Sequence, residues 1–207
     1  MKRIISIFII VAITLLALTS CGALGAGNET AYEKLTRLTS DTEYKKTEVT
    51  VKTEIADGVA LTSVMTYTAE DNSTRLDYSI QQLAEFEFVD GKYVVPADMI
   101  KTYEGMVRIS DGAVVGMNGP SDTPIDFSSC TSCPKFSFKE AFFKAPEITD
   151  TTFKAAVIAP VGFLGENIPC SNMYVSVTFA DDAVSTLILT YTTSEGSSVT
   201  ATYKYEK

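Results

Sequence analysis

The sequence of 207 residues contains no histidine. Histidine is the most common general base, the usual partner of a serine or cysteine nucleophile, and the most common zinc ligand. An enzyme of this composition would depend on carboxylate, lysine, tyrosine or cysteine side chains alone. We therefore predict that the protein is not an enzyme and that it uses no cofactor.

Basic side chains are also scarce. The chain has 17 Lys and Arg against 26 Asp and Glu, which gives a formal net charge of −9. No stretch of the sequence gathers the basic residues into a cluster. Because such a surface repels phosphate backbones, the composition excludes nucleic acid as a partner.

The first 20 residues have the layout of a secretory signal. Lys2 and Arg3 precede an uncharged, apolar run of about 15 residues, whereas roughly 20 are needed to span the hydrocarbon core of a bilayer. No basic stop-transfer cluster follows this run. These features predict a cleaved signal peptide over residues 1–20 and not a permanent transmembrane helix.

The run Leu18-Thr19-Ser20-Cys21 resembles the lipobox of bacterial lipoproteins, in which two small residues separate a branched apolar residue from a cysteine. The resemblance implies cleavage between Ser20 and Cys21 and a diacyl anchor, carrying palmitate, on the Cys21 sulfur. One acyl chain attaches a protein to a membrane only marginally, whereas two make the attachment stable. We therefore expect a lipoprotein on the extracytoplasmic face of the cell membrane, with residues 21–28 as its lipidated N-terminus and tether. The alternative is an ordinary secretory signal with a cysteine near its end by chance.

Residues 29–207 are predicted to form a single domain dominated by antiparallel strands. Apolar and polar residues alternate in most of its segments, and Asp-Gly pairs at 57–58, 90–91 and 111–112 separate such segments as hairpin turns do. Short helices are predicted at Glu29–Leu38 and Phe138–Lys144. The predicted fold class is α+β: a large, twisted antiparallel β-sheet, in the limit a half-barrel, with two short helices on one face.

The order of a short helix followed by strands occurs twice along the chain. This order suggests an internal duplication split near residues 118–135, which are rich in Gly, Pro and Ser. One large sheet with two helices laid against it is the simpler alternative.

A helix after a tether, followed by long antiparallel strands and tight turns, resembles the half-barrel lipoprotein-carrier proteins of bacteria and the cell-wall lipoproteins similar to them. The resemblance implies that the concave side of the sheet holds an acyl chain or another apolar, lipid-like molecule. No motif accompanies it, so no functional residue can be transferred. The residues that would line such a cavity are Val49, Val51, Leu76, Tyr78, Val175, Val177, Leu187 and Leu189.

Three cysteines besides Cys21 are candidates for a disulfide. Cys130 and Cys133 have CxxC spacing, but Ser and Pro residues flank them as in a loop, whereas a redox site needs a helix N-terminus. A zinc site would lack a fourth ligand. Loop-closure entropy favours a bridge from this pair to Cys170, and a local bridge from Cys130 to Cys133 is the alternative.

Adjacent carboxylates occur at Glu70-Asp71 and Asp181-Asp182. Both pairs lie where a hairpin must turn, and Asp is common there because its side chain satisfies the local backbone. Neither pair belongs to a calcium-binding loop. The sequence therefore predicts no metal site.

Three functions from different classes follow. A lipid-anchored carrier of an apolar ligand requires an enclosed cavity, and it is the function that we favour. A module that binds another envelope protein would instead have a filled core and an exposed apolar patch or sheet edge. A hydrolase that uses carboxylates, the least favoured, would place two of them within about 10 Å of each other in a cleft.

Replacement of Cys21 by serine is expected to abolish lipidation, because only the thiol accepts the acyl chains. Metabolic labelling with palmitate should mark the wild-type chain and not Cys21→Ser. Sequencing of the mature N-terminus gives a second check, since a start at any residue other than Cys21 would contradict the lipobox.

Overall fold

The computed structural model describes residues 29–55, 59–83, 87–89, 92–94, 99–121, 125–180 and 182–207. The predicted signal peptide and tether lie outside these ranges. The strands described are β1 (Lys46–Glu54), β2 (Ala60–Glu70), β3 (Ser73–Leu83), β4 (Glu87–Val89), β5 (Lys92–Val94), β6 (Ile100–Ser110), β7 (Ala113–Asn118), β8 (Phe143–Ile148), β9 (Thr152–Val157), β10 (Cys170–Phe179), β11 (Val184–Thr193) and β12 (Ser198–Glu206).

Ten strands form one open antiparallel sheet in the order β7-β6-β3-β2-β1-β12-β11-β10-β9-β8, and β4 pairs with β5 in a separate hairpin. The first half of the chain builds outward from β1 to the β7 edge. The second half builds inward from the β8 edge to β12, which pairs with β1 at the centre. The predicted α+β class with a large antiparallel sheet is confirmed, and the sheet does not close into a barrel. Internal duplication of the two halves stays a prediction.

One of the three predicted Asp-Gly turns lies within the described residues. Asp111 and Gly112 have φ values of 51° and 72°, and positive φ at both central residues is what this tight hairpin turn requires. They connect β6 to β7 as predicted. The turns at 57–58 and 90–91 lie outside the described residues, although the strands on either side of each are paired.

One face of the sheet is apolar and covered. The register places Val49 of β1 opposite Tyr203 of β12, and the same row continues through Leu187, Val177 and Phe153 on β11, β10 and β9. All five side chains are buried. The intervening positions are mainly Thr, Ser and charged residues, so the alternation of the strands separates a packed face from an exposed one.

The first helix, α1 (Ala31–Thr36), begins with a capping box. The Thr30 hydroxyl accepts a hydrogen bond from the Glu33 backbone N–H at 3.2 Å, and the Glu33 carboxylate accepts one from the Thr30 N–H at 2.8 Å. The helix continues as one π-helical turn over Arg37–Asp41. The helix predicted at Glu29–Leu38 is therefore confirmed in position.

The helix predicted at Phe138–Lys144 is wrong. Residues 140–142 form a single 3-10 turn, and β8 begins at Phe143. Phe138 and Phe143 both pack against Phe153, with ring centroids 5.5 and 5.1 Å from it. The burial of these two rings against the sheet outweighs the local helical pattern.

The second helix lies farther along the chain, at α2 (Pro160–Leu164). Proline at its first position and Gly165 after its end, with φ of 75°, are the usual start and stop of a helix. Phe163 is fully buried on the covered face, against Phe143. Tyr32 of α1 stacks on the same Phe143 ring, so both helices lie on one face of the sheet.

The connection from β7 to β8, described at residues 119–121 and 125–142, contacts the covered face from one edge of the sheet to the other. We call this segment the strap. Its phenylalanines contact successive strands: Phe127 packs on Tyr78 of β3, Phe136 on Tyr203 of β12, and Phe138 on Phe153 of β9, with ring centroids 4.7–5.5 Å apart. The strap therefore fills the middle of the covered face.

The two edges of the sheet differ. All six residues of β7 are exposed, including Val115 at 60% and Met117 at 52%. The β8 edge is interrupted by a bulge with Pro146 and with Ala145 at φ 50°, which are devices that protect an edge from further pairing. Among the described residues, no helix is both long and apolar enough to cross a membrane.

The packing of the strap can be tested with Phe136→Ala. Its ring is 1% exposed and contacts both the sheet and α2, so the substitution is expected to lower the free energy of unfolding by about 3–5 kcal/mol. Val115→Ala, on the exposed edge, should change it by less than about 0.5 kcal/mol. Urea denaturation measures both, and equal effects would show that the strap is not part of the core.

Candidate functional site

A cavity of about 220 Å³ lies at one end of the covered face, where the π-helical turn meets the strap. Ten of its fourteen lining residues carry a hydroxyl group, so we call it the hydroxyl pocket. Its lining consists of Thr39, Ser40, Thr42, Tyr44, Thr47, Tyr67, Ala69, Thr74, Thr131, Ser132, Cys133, Pro134, Lys135 and Tyr205.

The π-helical turn supplies one wall and joins it to the strap. The wider turn is closed by the Thr42 N–H, which donates to the Arg37 carbonyl at 3.0 Å. Ser40 donates to the Phe136 carbonyl of the strap at 2.8 Å, and Thr39 donates to the Leu35 carbonyl at 2.8 Å. Single π-helical turns are uncommon and are often found at functional sites.

Three tyrosines supply an aromatic wall. The Tyr44 hydroxyl donates to the Leu38 carbonyl and accepts from the Val184 N–H, both at 2.8 Å. Its ring lies 4.7 Å from that of Tyr205. Burial raises the pKa of Tyr67 and that of Tyr205 above the ordinary value, so both are neutral phenols.

The Tyr205 hydroxyl is buried and has no hydrogen-bond partner among the described residues. A buried polar atom without a partner costs stability, and in a native protein it calls for an explanation such as bound water or a ligand. Tyr205 lines the hydroxyl pocket, although its hydroxyl oxygen is itself covered by protein atoms.

Tyr78 has the second buried hydroxyl without a partner among the described residues, but its surroundings differ. Its ring packs on Phe127, and its hydroxyl lies so close to Gly105 and Gly119 that a side chain at either glycine would collide with it. It lines neither the hydroxyl pocket nor the groove beside it. Tyr78 therefore has a buried hydroxyl that lies away from the pocket, and it is a control for Tyr205.

The CxxC segment of the strap lines the pocket through Cys133. Burial raises the pKa of the Cys133 thiol to about 11, although a hydrogen bond with Thr47 acts in the opposite direction. The thiol is therefore protonated at neutral pH and a poor nucleophile. This agrees with the loop position of the motif and gives no support to a redox role.

The structure does not bring Cys133 and Cys170 together, as the favoured bridge from the Cys130/Cys133 pair would require. Cys133 lies over Thr47, which is opposite Tyr205, while Cys170 starts β10 near the β11–β12 turn. These positions are at opposite ends of β12, roughly 20 Å apart at 3.3 Å per residue. A disulfide cannot span that distance without movement of the backbone. The local Cys130–Cys133 bridge stays a prediction.

A second, more open groove of about 510 Å³ adjoins the pocket and shares Tyr44, Ala69, Thr74 and Thr131 with it. Hairpin turns at the end of the sheet form its walls. Four carboxylates line it, at Glu43, Glu70, Asp71 and Asp111, and we call it the acidic groove. Glu70 pairs with Arg108 at 3.4 Å.

Four other carboxyl groups of the described residues accept hydrogen bonds away from both spaces. Hydrogen bonds lower the pKa of Glu29, Glu33, Asp126 and Asp182, and none of these four lines the pocket or the groove. A catalytic acid in a hydrolase needs a raised pKa. In the part of the chain that the structure describes, no three His, Cys, Asp or Glu residues are grouped so that they could hold a metal ion.

The eight residues predicted to line an apolar cavity all face the covered side of the sheet, as their shared register rows show. Seven are buried and Val51 is half-buried. They form part of the packed core beneath the strap and the helices. None of them lines the hydroxyl pocket.

Sequence reasoning missed the pocket. Tyr67 and Tyr205 stand out in the sequence as strand aromatics, and Cys133 as half of a CxxC pair. The hydroxyl-bearing residues between positions 39 and 47 belong to no recognisable sequence motif. Their convergence with residues 131–135 depends on the path of the strap, which no local pattern encodes.

No family model and no curated protein sequence matches the chain. Among solved structures, a redesigned beta barrel is similar at 15% identity, with 84% of this chain and 96% of that chain covered and a TM-score of 0.23. A likeness of this size carries no argument about function.

Two tyrosine substitutions test the hydrogen bonding of the pocket. Tyr44→Phe leaves the Leu38 carbonyl and the Val184 N–H without their partner, and is expected to cost about 1–3 kcal/mol of stability. Tyr205→Phe removes a hydroxyl that has no partner, and should leave stability unchanged or raise it. Calorimetric unfolding of the ligand-free protein measures both. If the two variants were equally destabilised, the Tyr205 hydroxyl would have a partner after all.

Proposed function

We propose that the chain is a non-catalytic bacterial lipoprotein, anchored outside the cell membrane through Cys21, that binds a small polar molecule in the hydroxyl pocket. The observation that carries the proposal is the convergence of hydroxyl groups around a cavity whose wall includes Tyr205, with its buried hydroxyl left without a partner. A cavity of about 220 Å³ is below the 300–1,000 Å³ typical of drug-sized ligands, which favours a smaller molecule.

The anchor would keep the pocket close to the membrane. Helix α1 begins at Ala31, ten residues after Cys21, and a chain of ten residues spans at most about 35 Å. The domain would therefore meet ligands that enter or leave the cell across the surface to which it is attached.

A polar ligand replaces the acyl chain that the half-barrel resemblance implies. An acyl chain on the covered face would have to displace Phe127, Phe136 and Phe138, all buried. Exposure of each ring costs roughly 1.5–3 kcal/mol. The strap thus occupies the space that a carrier would need for its cargo, whereas the hydroxyl pocket needs no such displacement.

A protein-binding module is the second candidate, and the exposed β7 edge favours it. This strand has unpaired backbone groups along one side, no charged residue, and the exposed apolar side chains of Val115 and Met117. An extended segment of another envelope protein could add to the sheet there.

Native mass spectrometry of the full chain, purified from its host membranes, distinguishes these functions. The proposal expects a bound small polar molecule besides the acyl anchor, at lower occupancy in Tyr205→Phe. Tyr78→Phe is the matched control and should bind as the wild type does, because its hydroxyl is also buried without a partner but lies away from the pocket.

Other outcomes count against the proposal. A bound fatty acid or phospholipid would restore the apolar carrier, and a complex with a second protein would favour the interaction module. The unmodified mass of the lipidated chain, with no bound molecule, would overturn a ligand-binding role.

A further inference from the structure

Four of the ten hydroxyl groups of the pocket donate their protons to backbone carbonyls. Thr39, Ser40 and Tyr44 each donate their single hydroxyl proton to a backbone carbonyl, at 2.8 Å in every case. Thr42 does the same to the Arg37 carbonyl at 3.2 Å. A hydroxyl has one proton and two lone pairs, so these oxygens can offer a ligand only acceptors.

These four acceptor oxygens favour a ligand that is rich in donors. An ammonium group has three donors and no acceptor, and it therefore matches these oxygens. An anion or a carbonyl group would bring more acceptors, with which these four oxygens could not form hydrogen bonds. The alternating donors and acceptors of a neutral polyol would be only partly satisfied.

The charge of the surroundings points to the same ligand. The acidic groove opens beside the pocket, and Glu43, Asp71 and Asp111 in its wall form no ion pair with described residues. Lys135 is the one basic residue among the described residues lining either space, and it is exposed at the rim. With a net charge of −9 on the whole chain, the field at the pocket attracts cations.

Aromatic rings add a third contribution. Tyr44 and Tyr205 lie in the pocket wall with their ring centroids 4.7 Å apart. Tyrosine faces attract cations, and they do so most strongly where water is excluded.

We propose that the ligand of the hydroxyl pocket is a small organic ammonium ion, which enters through the acidic groove and donates to the hydroxyl oxygens of the pocket. This inference rests on the proposed binding function and names its ligand class. The cavity of about 220 Å³ holds the volume of roughly seven water molecules at 30 Å³ each, enough for a short alkylammonium.

Saturation-transfer NMR on the full chain tests the proposal with 1,4-diaminobutane and with 1,4-butanediol, which has the same shape but no charge. The proposal expects saturation transfer to the diamine, none to the diol, and weaker binding as salt is added. Glu43→Gln and Asp71→Asn should each lower the affinity for the diamine by roughly threefold, which is the effect of losing one partly screened charge. Glu195→Gln, at the opposite end of the sheet, is the matched control and should have no effect.

The outcomes separate this inference from the proposed function. If the diol binds as well as the diamine, the pocket recognises hydroxyl groups, so the ammonium proposal fails and the binding function stands. If neither probe binds while a small molecule still co-purifies, the ligand class is wrong and the function again stands. If neither probe binds and nothing co-purifies, both proposals fail.

Discussion

The packing of the strap phenylalanines on the sheet is the interaction on which the rest of the structure depends. The chain leaves the sheet at β7 and re-enters it at β8, which lies nine strand spacings away, or about 43 Å. Because the strap crosses the covered face, its rings supply the second layer that buries the apolar face of the sheet. Both helices are short, and α2 packs on Phe136 and Phe138 of the strap.

Much of this fold was predictable, because the strands have the alternation of a sheet that is buried on one side. Strands β9 to β12 and the turn at Asp111-Gly112 follow the pattern closely. Two elements escaped prediction for identifiable reasons. In β8, Pro146 and the bulge break the alternation, while α2 has only five residues, too few to show a helical period.

The pocket was not predictable in the same way. Its walls come from residues 39–47, 67–74, 131–135 and 205, and only the route of the strap brings them together. The same route separates two of the candidate cysteines. Loop-closure entropy depends on the number of residues between two thiols, whereas the strap places Cys133 near the C-terminal end of β12 and Cys170 lies at the other end.

The position of the pocket follows from the limits of the strap. Its aromatic rings cover the middle of the face, where the strands supply apolar partners. This apolar layer ends at the π-helical turn, next to the hairpin turns at the end of the sheet. At that boundary the backbone groups freed by the π-helical turn and by the strap must find partners, and short hydroxyl side chains such as Thr39 and Ser40 provide them. Each hydroxyl that donates to a carbonyl presents its lone pairs to the neighbouring space. The acceptor oxygens in the pocket are therefore the direct consequence of ending an apolar core with threonine, serine and tyrosine, and the carboxylates of the adjoining hairpin turns give the pocket a negative field.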